Sequence, residues 1–416
     1  MSSNLRRLSE ANDFSLNEAG VFQAQSGQVA FNYTDGENAE KDLYEILDNA
    51  KDLTSLSEEL EAKVSDWPSE YHLSSNRANL LRALDLSGVR RVLELGCGCG
   101  SITRYLGEQT DLYIDSVEGS PSRAALARMR CRDLDQVEIV TANFNEIEIP
   151  EGEYDLVLFV GVTEYAGRFS QELTDQEALQ GLLQLGKKAC SKQGVVLIAI
   201  ENRLGMKYAL GASEDHYALP YVGIDNYPQA DGIRTYDQAE WLAQISQAGY
   251  DHHRLLLPFP DYKVPTVVLD QACDVSQVKS ALKSIQSRDY SRQFKVGESL
   301  KLDETHLWNA LAQAGTLTQH SNSFMWLIGE DSDALNSMVV KNVSVFDESQ
   351  ITYDFPAAPE RSMRPQDAKL VEHLNAQITQ LESHSRNLEG KVKIMSNSIG
   401  WKFLNAVRRL FRKTTL

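Results

Sequence analysis

Between residues 91 and 200, short apolar runs alternate with helical patterns, and no other feature of the chain constrains its fold as much. RVLEL (91–95), LYIDSVE (112–118), VEIVTA (137–142), YDLVLFV (154–160) and VVLIAI (195–200) have strand length. The intervening SITRYLGEQ, SPSRAALARMRCRDL and QEALQGLLQLGKKACSKQG carry helical spacing, with Ser120 placed to cap the second. Apolar strands joined by helices predict an α/β fold with a parallel, doubly wound sheet. HRLLLPFPDYKVPTVVLD (253–270) is expected to add the last two strands as an antiparallel pair, since its prolines suit a bend or an edge.

Around this core the chain divides further. Residues 1–60 read as an N-terminal extension, with a strand and turn at FNYTDG (31–36) and a helix through YEILDNAKDLTSLSEELEAKV. The core domain is expected over 61–270, entered by the turn and amphipathic helix of WPSEYHLSSNRANLLRAL. Residues 271–355 mix helix with strand-like text (NSFMWLIGE) and are expected to pack on the core as an accessory region. PAAPERSMRP holds three of the eleven prolines, placing a linker at 356–366. Over 367–399 a heptad seam runs through Val371, Leu374, Ile378, Leu381, Ser385, Leu388, Val392, Met395 and Ile399. Eight of the nine are apolar, which predicts a coiled coil and, through it, a homo-oligomer. The tail, 400–416, places Phe403, Val407 and Leu410 at helical spacing among Lys402, Arg408, Arg409, Arg412 and Lys413. A basic amphipathic helix of this kind suits an anionic membrane surface, or an acidic partner.

Charge and cysteine usage exclude some classes. The net charge of −18 argues against a general nucleic-acid binder. That charge is uneven, because residues 361–416 carry eleven Lys/Arg against four Asp/Glu. Five scattered cysteines (97, 99, 131, 190, 273) make no disulfide framework and fit a reducing compartment. MSSNLRRLSEANDFS lacks the apolar core of a signal peptide, and the longest apolar runs are too short to span a bilayer. A cytoplasmic protein is expected, peripheral on the inner membrane through its tail.

The first strand ends in VLELGCGCG, an acid followed by glycines at 96, 98 and 100. Such a loop brings backbone close to a ligand. The dinucleotide pattern G-x-G-x-x-G fails at Ser101, and no Lys follows to make a phosphate-binding P-loop. Glu118, at the end of the next strand, is placed to accept hydrogen bonds from both hydroxyls of a ribose. A nucleoside joined to an amino acid, without phosphate, is S-adenosylmethionine. Here the sequence resembles the class I S-adenosylmethionine-dependent methyltransferases, whose Rossmann-like sheet matches the strand pattern. Glu94, Gly96, Gly98 and Gly100 match their first motif and Glu118 their second. Asn143 stands where the family puts an Asp for the adenine amino group, with Phe144 beside the ring; FVGVTEYAG (159–167), with Gly161, matches the loop between cofactor and acceptor. Cys97 and Cys99 occupy the variable slots, and a metal site there would need two further ligands.

ENRLGMKYALGASEDHYALPYVGIDNYP (201–228) with the text after it is similar to methyltransferases encoded among bacterial surface-polysaccharide genes, over roughly residues 30–330. The resemblance implies O-methylation of a sugar hydroxyl on a surface polysaccharide or its lipid-linked precursor, with glycosyltransferases as partners. A sugar hydroxyl needs a base and in-line placement. His216 is the candidate base, and Glu201, at a strand end, faces the crevice. Tyr165, Tyr208 and Tyr217 are candidates to stack on a saccharide. Tyr71 and His72 either close over the cofactor or cap a helix, and the adjacent His252 and His253 are expected to be structural. Glu214 with Asp215 reads as a solvated turn rather than a cation site, so no metal is expected. The rivals are a lipid or small-molecule acceptor, and a non-catalytic coiled-coil scaffold. The layout is also similar to enzymes that cap O-antigen chains, without the kinase domain of one such group.

Overall fold

The computed structural model describes residues 7–24, 36–109, 111–169, 173–229, 231–282, 304–339 and 341–346. The FNYTDG strand (but for its last residue), the linker, the heptad seam and the basic tail lie outside them. Among the described residues eleven strands form one sheet: β1 (Ser15–Leu16), β2 (Phe22–Gln23), β3 (Arg91–Leu95), β4 (Tyr113–Glu118), β5 (Val137–Thr141), β6 (Tyr154–Val160), β7 (Cys190–Glu201), β8 (His252–Phe259), β9 (Val267–Asp270), β10 (Ser323–Gly329) and β11 (Val343–Val345). They lie in the order β1-β2-β5-β4-β3-β6-β7-β10-β8-β9-β11.

From β2 to β7 all neighbours are parallel, and the order reverses between β3 and β6. Both faces are covered. Leu93, Leu95, Val157, Phe159, Val196 and Ile198 join one apolar cluster with Leu179, Leu182 and Leu183 of helix Asp175–Ala189. Val92, Ile114, Leu156, Leu158, Val195 and Leu197 join a second with Ile102, Leu106, Ala124 and Ala127 of helices Ser101–Gly107 and Pro121–Arg130. Two buried faces explain why these strands read as unbroken apolar runs rather than alternating ones.

The sheet is mixed beyond β7. β8 and β9 form the expected antiparallel pair. NSFMWLIGE, read as accessory text, runs antiparallel between β7 and β8 as β10, buried along its whole length. The chain leaves the sheet after β9 and returns to fill that slot, so residues beyond 270 contribute a central strand of the core. Among the described residues no helix is long and apolar enough to cross a membrane.

One buried charge pair ties β3 to β4. Arg91 and Asp115 are 2% and 0% exposed. Asp115 accepts from Arg91 Nη2 at 3.0 Å and from the Tyr154 hydroxyl at 2.9 Å, while Arg7 Nε lies 3.1 Å from its other oxygen. Asp115→Ala leaves a buried guanidinium without this counter-charge, and about 3–5 kcal/mol of stability is lost. Urea unfolding reads the change; a loss under about 1 kcal/mol would show the pair to be dispensable.

Candidate functional site

A cavity of about 260 Å³ opens above the carboxyl ends of the central strands, at the point where the strand order reverses. Open α/β sheets bind ligands at such a point. Its walls come from the segments following β3, β4, β5, β6, β7 and β8, and from helix Trp67–Leu73.

The glycine loop forms the floor of one end. Gly96, Gly98 and Gly100 have φ of +81°, +56° and +81°, the left-handed region that side chains resist. Gly96 also packs so closely that a Cβ would run into Val162 Cγ2, and a Cβ on Gly100 would meet Ala127 Cα at 2.8 Å. Gly96 and Gly98 line the cavity, while Gly100 starts helix Ser101–Gly107 and shapes the turn.

Glu118 closes β4 with its carboxylate on the cavity wall, accepting from Gly98 N at 2.8 Å and Ser120 N at 2.9 Å. Two backbone donors fix the carboxylate and leave each oxygen a further lone pair for a ribose hydroxyl. Glu94 is 3% exposed and accepts from Thr103 Oγ1 at 2.6 Å and Ser116 Oγ at 2.9 Å. Burial pushes its pKa up to about 7, against the pull of those two hydroxyls. Arg77, which donates to the Tyr262 and Lys263 carbonyls, and Arg123 also face the cavity. Both come from helical segments outside the glycine motif and are brought to it by the fold. Phe144 and Asn143 complete this end after β5. Asn143 Nδ2 donates to Glu146 Oε1 at 2.7 Å and its carbonyl oxygen accepts from Asn145 N at 3.1 Å, leaving that oxygen one lone pair for an adenine amino group. Tyr71 and His72 line the wall, and the helix they sit on is capped by Asp66.

These groups fit S-adenosylmethionine. Glu118 suits the ribose, Phe144 and Asn143 the adenine, and Glu94 with Arg77 the ammonium and carboxylate of the amino-acid end. Gly161, at φ +69°, leads out of β6 between this end and the next, where a Cβ would meet the Tyr262 hydroxyl at 2.8 Å.

The other end is a buried polar cluster. Glu164, Glu201 and His216 line it, with side chains 2%, 1% and 6% exposed. His216 Nδ1 lies 2.8 Å from Glu214 Oε1 and its Nε2 3.7 Å from Glu164 Oε1. The Tyr165 ring meets the imidazole edge-on, with centroids 5.3 Å apart. Burial lowers the imidazole pKa, but the Glu164 and Glu214 carboxylates prevail and hold it well above the ordinary histidine value. Burial raises Glu164. Lys263 bridges Glu201, Asp215 and Asp261, and Lys207 pairs with Asp215 at 2.9 Å and Asp261 at 2.7 Å. Burial raises the Asp215 carboxyl, yet the two ammonium groups win and hold it far below the carboxylate range.

Several sequence assignments move. Glu214 and Asp215 are not a solvated turn, because Glu214 is buried, Asp215 is half-buried, and both carboxylates are engaged. Tyr208 and Tyr217 stand outside the cavity wall: Tyr208 is buried with its hydroxyl donating to Asp215, and Tyr217 donates to Asp231 and the Ile233 carbonyl. Tyr165 remains on the wall. Glu164, Tyr262 and Lys263 were missed, although VTEYAG and FPDYK placed them in loops after strands, which is the one local signal they carry. His252 and His253 are exposed on β8, far along the sheet from the cavity end of that strand.

Residues 92–182 match a family model described as a methyltransferase domain. The cyclopropane-fatty-acyl-phospholipid synthase of Escherichia coli (strain K12) is 30% identical over 84 residues, 20% of this chain and 21% of that protein. The chain thus spans about a fifth of the length of the curated relatives it matches. The phosphoethanolamine N-methyltransferase 2 of Haemonchus contortus, solved with S-adenosyl-L-methionine, shares 14% identity over 58% of this chain and 49% of that one, with a TM-score of 0.34. The N-terminal domain of EvdMO1 with SAH bound shares 19% over 53% and 90%, with a TM-score of 0.35.

Proposed function

We propose that the methyltransferase domain carried by this chain moves a methyl group from S-adenosylmethionine to a polar acceptor, a sugar hydroxyl of a surface polysaccharide or of its lipid-linked precursor. What carries the reading is the acceptor end of the cavity. Carboxylates, an imidazole and a lysine line it beside Tyr165 and Tyr262. A wall of this kind matches hydroxyls and ring faces, whereas an acyl chain needs a long apolar slot.

S-adenosylmethionine supplies a methyl group on a positively charged sulfur, which keeps the C–S electron pair when the acceptor oxygen attacks. The chain does the rest. Glu118 and the glycine loop would hold the nucleoside, and Gly161 lies between that end and the acceptor end. Tyr165 and Tyr262 hold the sugar face, setting the hydroxyl in line with the methyl carbon. With its pKa held well above the ordinary histidine value, His216 is charged near neutral pH, so Glu201, through its unbonded Oε2, draws off the hydroxyl proton while Glu214 orients the His216 ring beside it through Nδ1. The heptad segment and basic tail suit an oligomer working at the membrane on lipid-linked substrates beside glycosyltransferases.

An amine acceptor is the second reading, favoured by the surplus of acids at that end. Methyl-ether analysis of surface polysaccharide separates the two. Deleting the gene from a source strain removes one O-methyl sugar. The native gene restores it; a His216→Ala copy does not, because turnover of the purified variant falls at least 100-fold with cofactor affinity kept. An unchanged methyl-ether profile, with an N-methyl product missing instead, selects the amine. A changed chain length alone points to a scaffold.

A further inference from the structure

We propose that Glu164, Glu201 and His216 hold a divalent cation at the acceptor end of the cavity. Its role there rests on the methyl-transfer reading above; its binding does not. One ligand atom from each of the three residues falls within 4.8 Å of the others, and all three residues line the cavity. They come from three separate segments: the loop after β6, the end of β7, and the 214–217 turn.

Two further observations point to a missing positive partner. Glu164 Oε2 and Glu201 Oε2 are buried and accept no hydrogen bond among the described residues. A buried carboxylate oxygen left in this state costs free energy unless a cation or donor meets it. Lys263 takes up Glu201 Oε1 and leaves Oε2 to be filled. Acidic groups also outnumber basic ones: Glu164, Glu201, Glu214, Asp215 and Asp261 cluster around Lys207, Lys263 and His216. The second observation is the imidazole. Its Nδ1 faces Glu214 Oε1 at 2.8 Å, so the other nitrogen, Nε2, is turned toward Glu164. Carboxylate–histidine pairs of this kind orient metal-bound imidazoles and make them more basic ligands.

Two carboxylates and one imidazole suit a borderline divalent ion, Mn²⁺ or Zn²⁺, better than Ca²⁺ or Mg²⁺, which prefer oxygen alone. Three protein ligands leave coordination positions open toward the cavity. A hydroxyl oxygen of the acceptor would occupy one of them, held beside the methyl group; with Glu201 and His216 engaged on the cation, its proton would pass to water rather than to Glu201.

The test uses the full chain freed of metal by a chelator and titrated with Mn²⁺, bound and free ion being read by electron paramagnetic resonance. One site per chain is expected. His216→Ala and Glu164→Gln abolish it, and Glu214→Gln, which removes only the orienting carboxylate, weakens it about 10–100-fold. A His252→Ala/His253→Ala double variant, altered on the exposed end of β8, binds as the native chain does. Circular dichroism of each variant separates lost binding from lost folding, and the conservative glutamine variants carry the decision if His216→Ala fails to fold. No site tighter than about 1 mM, or one indifferent to the glutamine variants, overturns the proposal. S-adenosylmethionine binding is measured on the same samples. Its absence with the Mn²⁺ site intact removes the methyl-transfer reading and leaves the cation site standing.

Discussion

Replacing Glu118 by alanine raises the dissociation constant for S-adenosylmethionine by about two decades or more. The carboxylate ends β4 on the cavity wall, held by the Gly98 and Ser120 amides at 2.8 and 2.9 Å. Hydrogen bonds from two ribose hydroxyls to a charged group contribute about 1.5–3 kcal/mol each, and each 1.4 kcal/mol is tenfold in affinity. The substitution also releases the Gly98 amide, so the loop loses the acceptor that keeps it at φ +56°. Glu118→Gln separates these effects. Its carbonyl oxygen can still hold a backbone amide, but the amide NH₂ cannot accept from a hydroxyl. Calorimetry should therefore place Gln between Glu and Ala. Affinity within threefold of native for both variants would remove Glu118 from cofactor binding and leave it a loop brace.

The contrast between the two ends of the cavity explains what the sequence could disclose. The cofactor end is local: Glu94 and the glycines lie within seven residues, and Glu118 and Asn143 each end or follow the next strand. Strand order alone brings them together, so a strand–helix pattern suffices to find them. The acceptor end joins Glu164, Glu201, Glu214, Asp215, His216 and Lys263 from four distant stretches. Read singly, Glu214 and Asp215 are polar residues in a turn; only the fold brings the Lys207 and Lys263 ammonium groups to Asp215 and the Tyr227 hydroxyl to Glu214. Tyr208 went wrong for the related reason that an aromatic in a polar loop looks like a ligand platform, whereas here its hydroxyl supports Asp215. β10 was hidden in the same way. An apolar run of seven residues has no mark saying which gap in a sheet it enters, and its register with Glu201 and Leu256 is set by a long return of the chain.

Glu94 makes cofactor binding depend on pH. Burial raises its pKa to about 7, so in the free protein below neutral pH the group carries its proton. S-adenosylmethionine brings a sulfonium and an ammonium, and cations beside a carboxyl favour its charged form. Binding then expels the proton. Affinity should rise with pH by up to tenfold per unit below about pH 7 and flatten above it. Calorimetry in buffers of different ionisation enthalpy reads the released proton directly, approaching one per cofactor near pH 6. The same raised pKa has a signed consequence for the free protein. Stability from a protonated Glu94 is full below the ordinary carboxylate value of 4.5 and is lost as pH rises through about 7. That gap is worth on the order of 3 kcal/mol at most. Glu94→Gln, which carries no titrating group, removes both the slope in affinity and this loss of stability. A native slope that persists in the glutamine variant would assign the proton to another group on the wall and end the role given to Glu94.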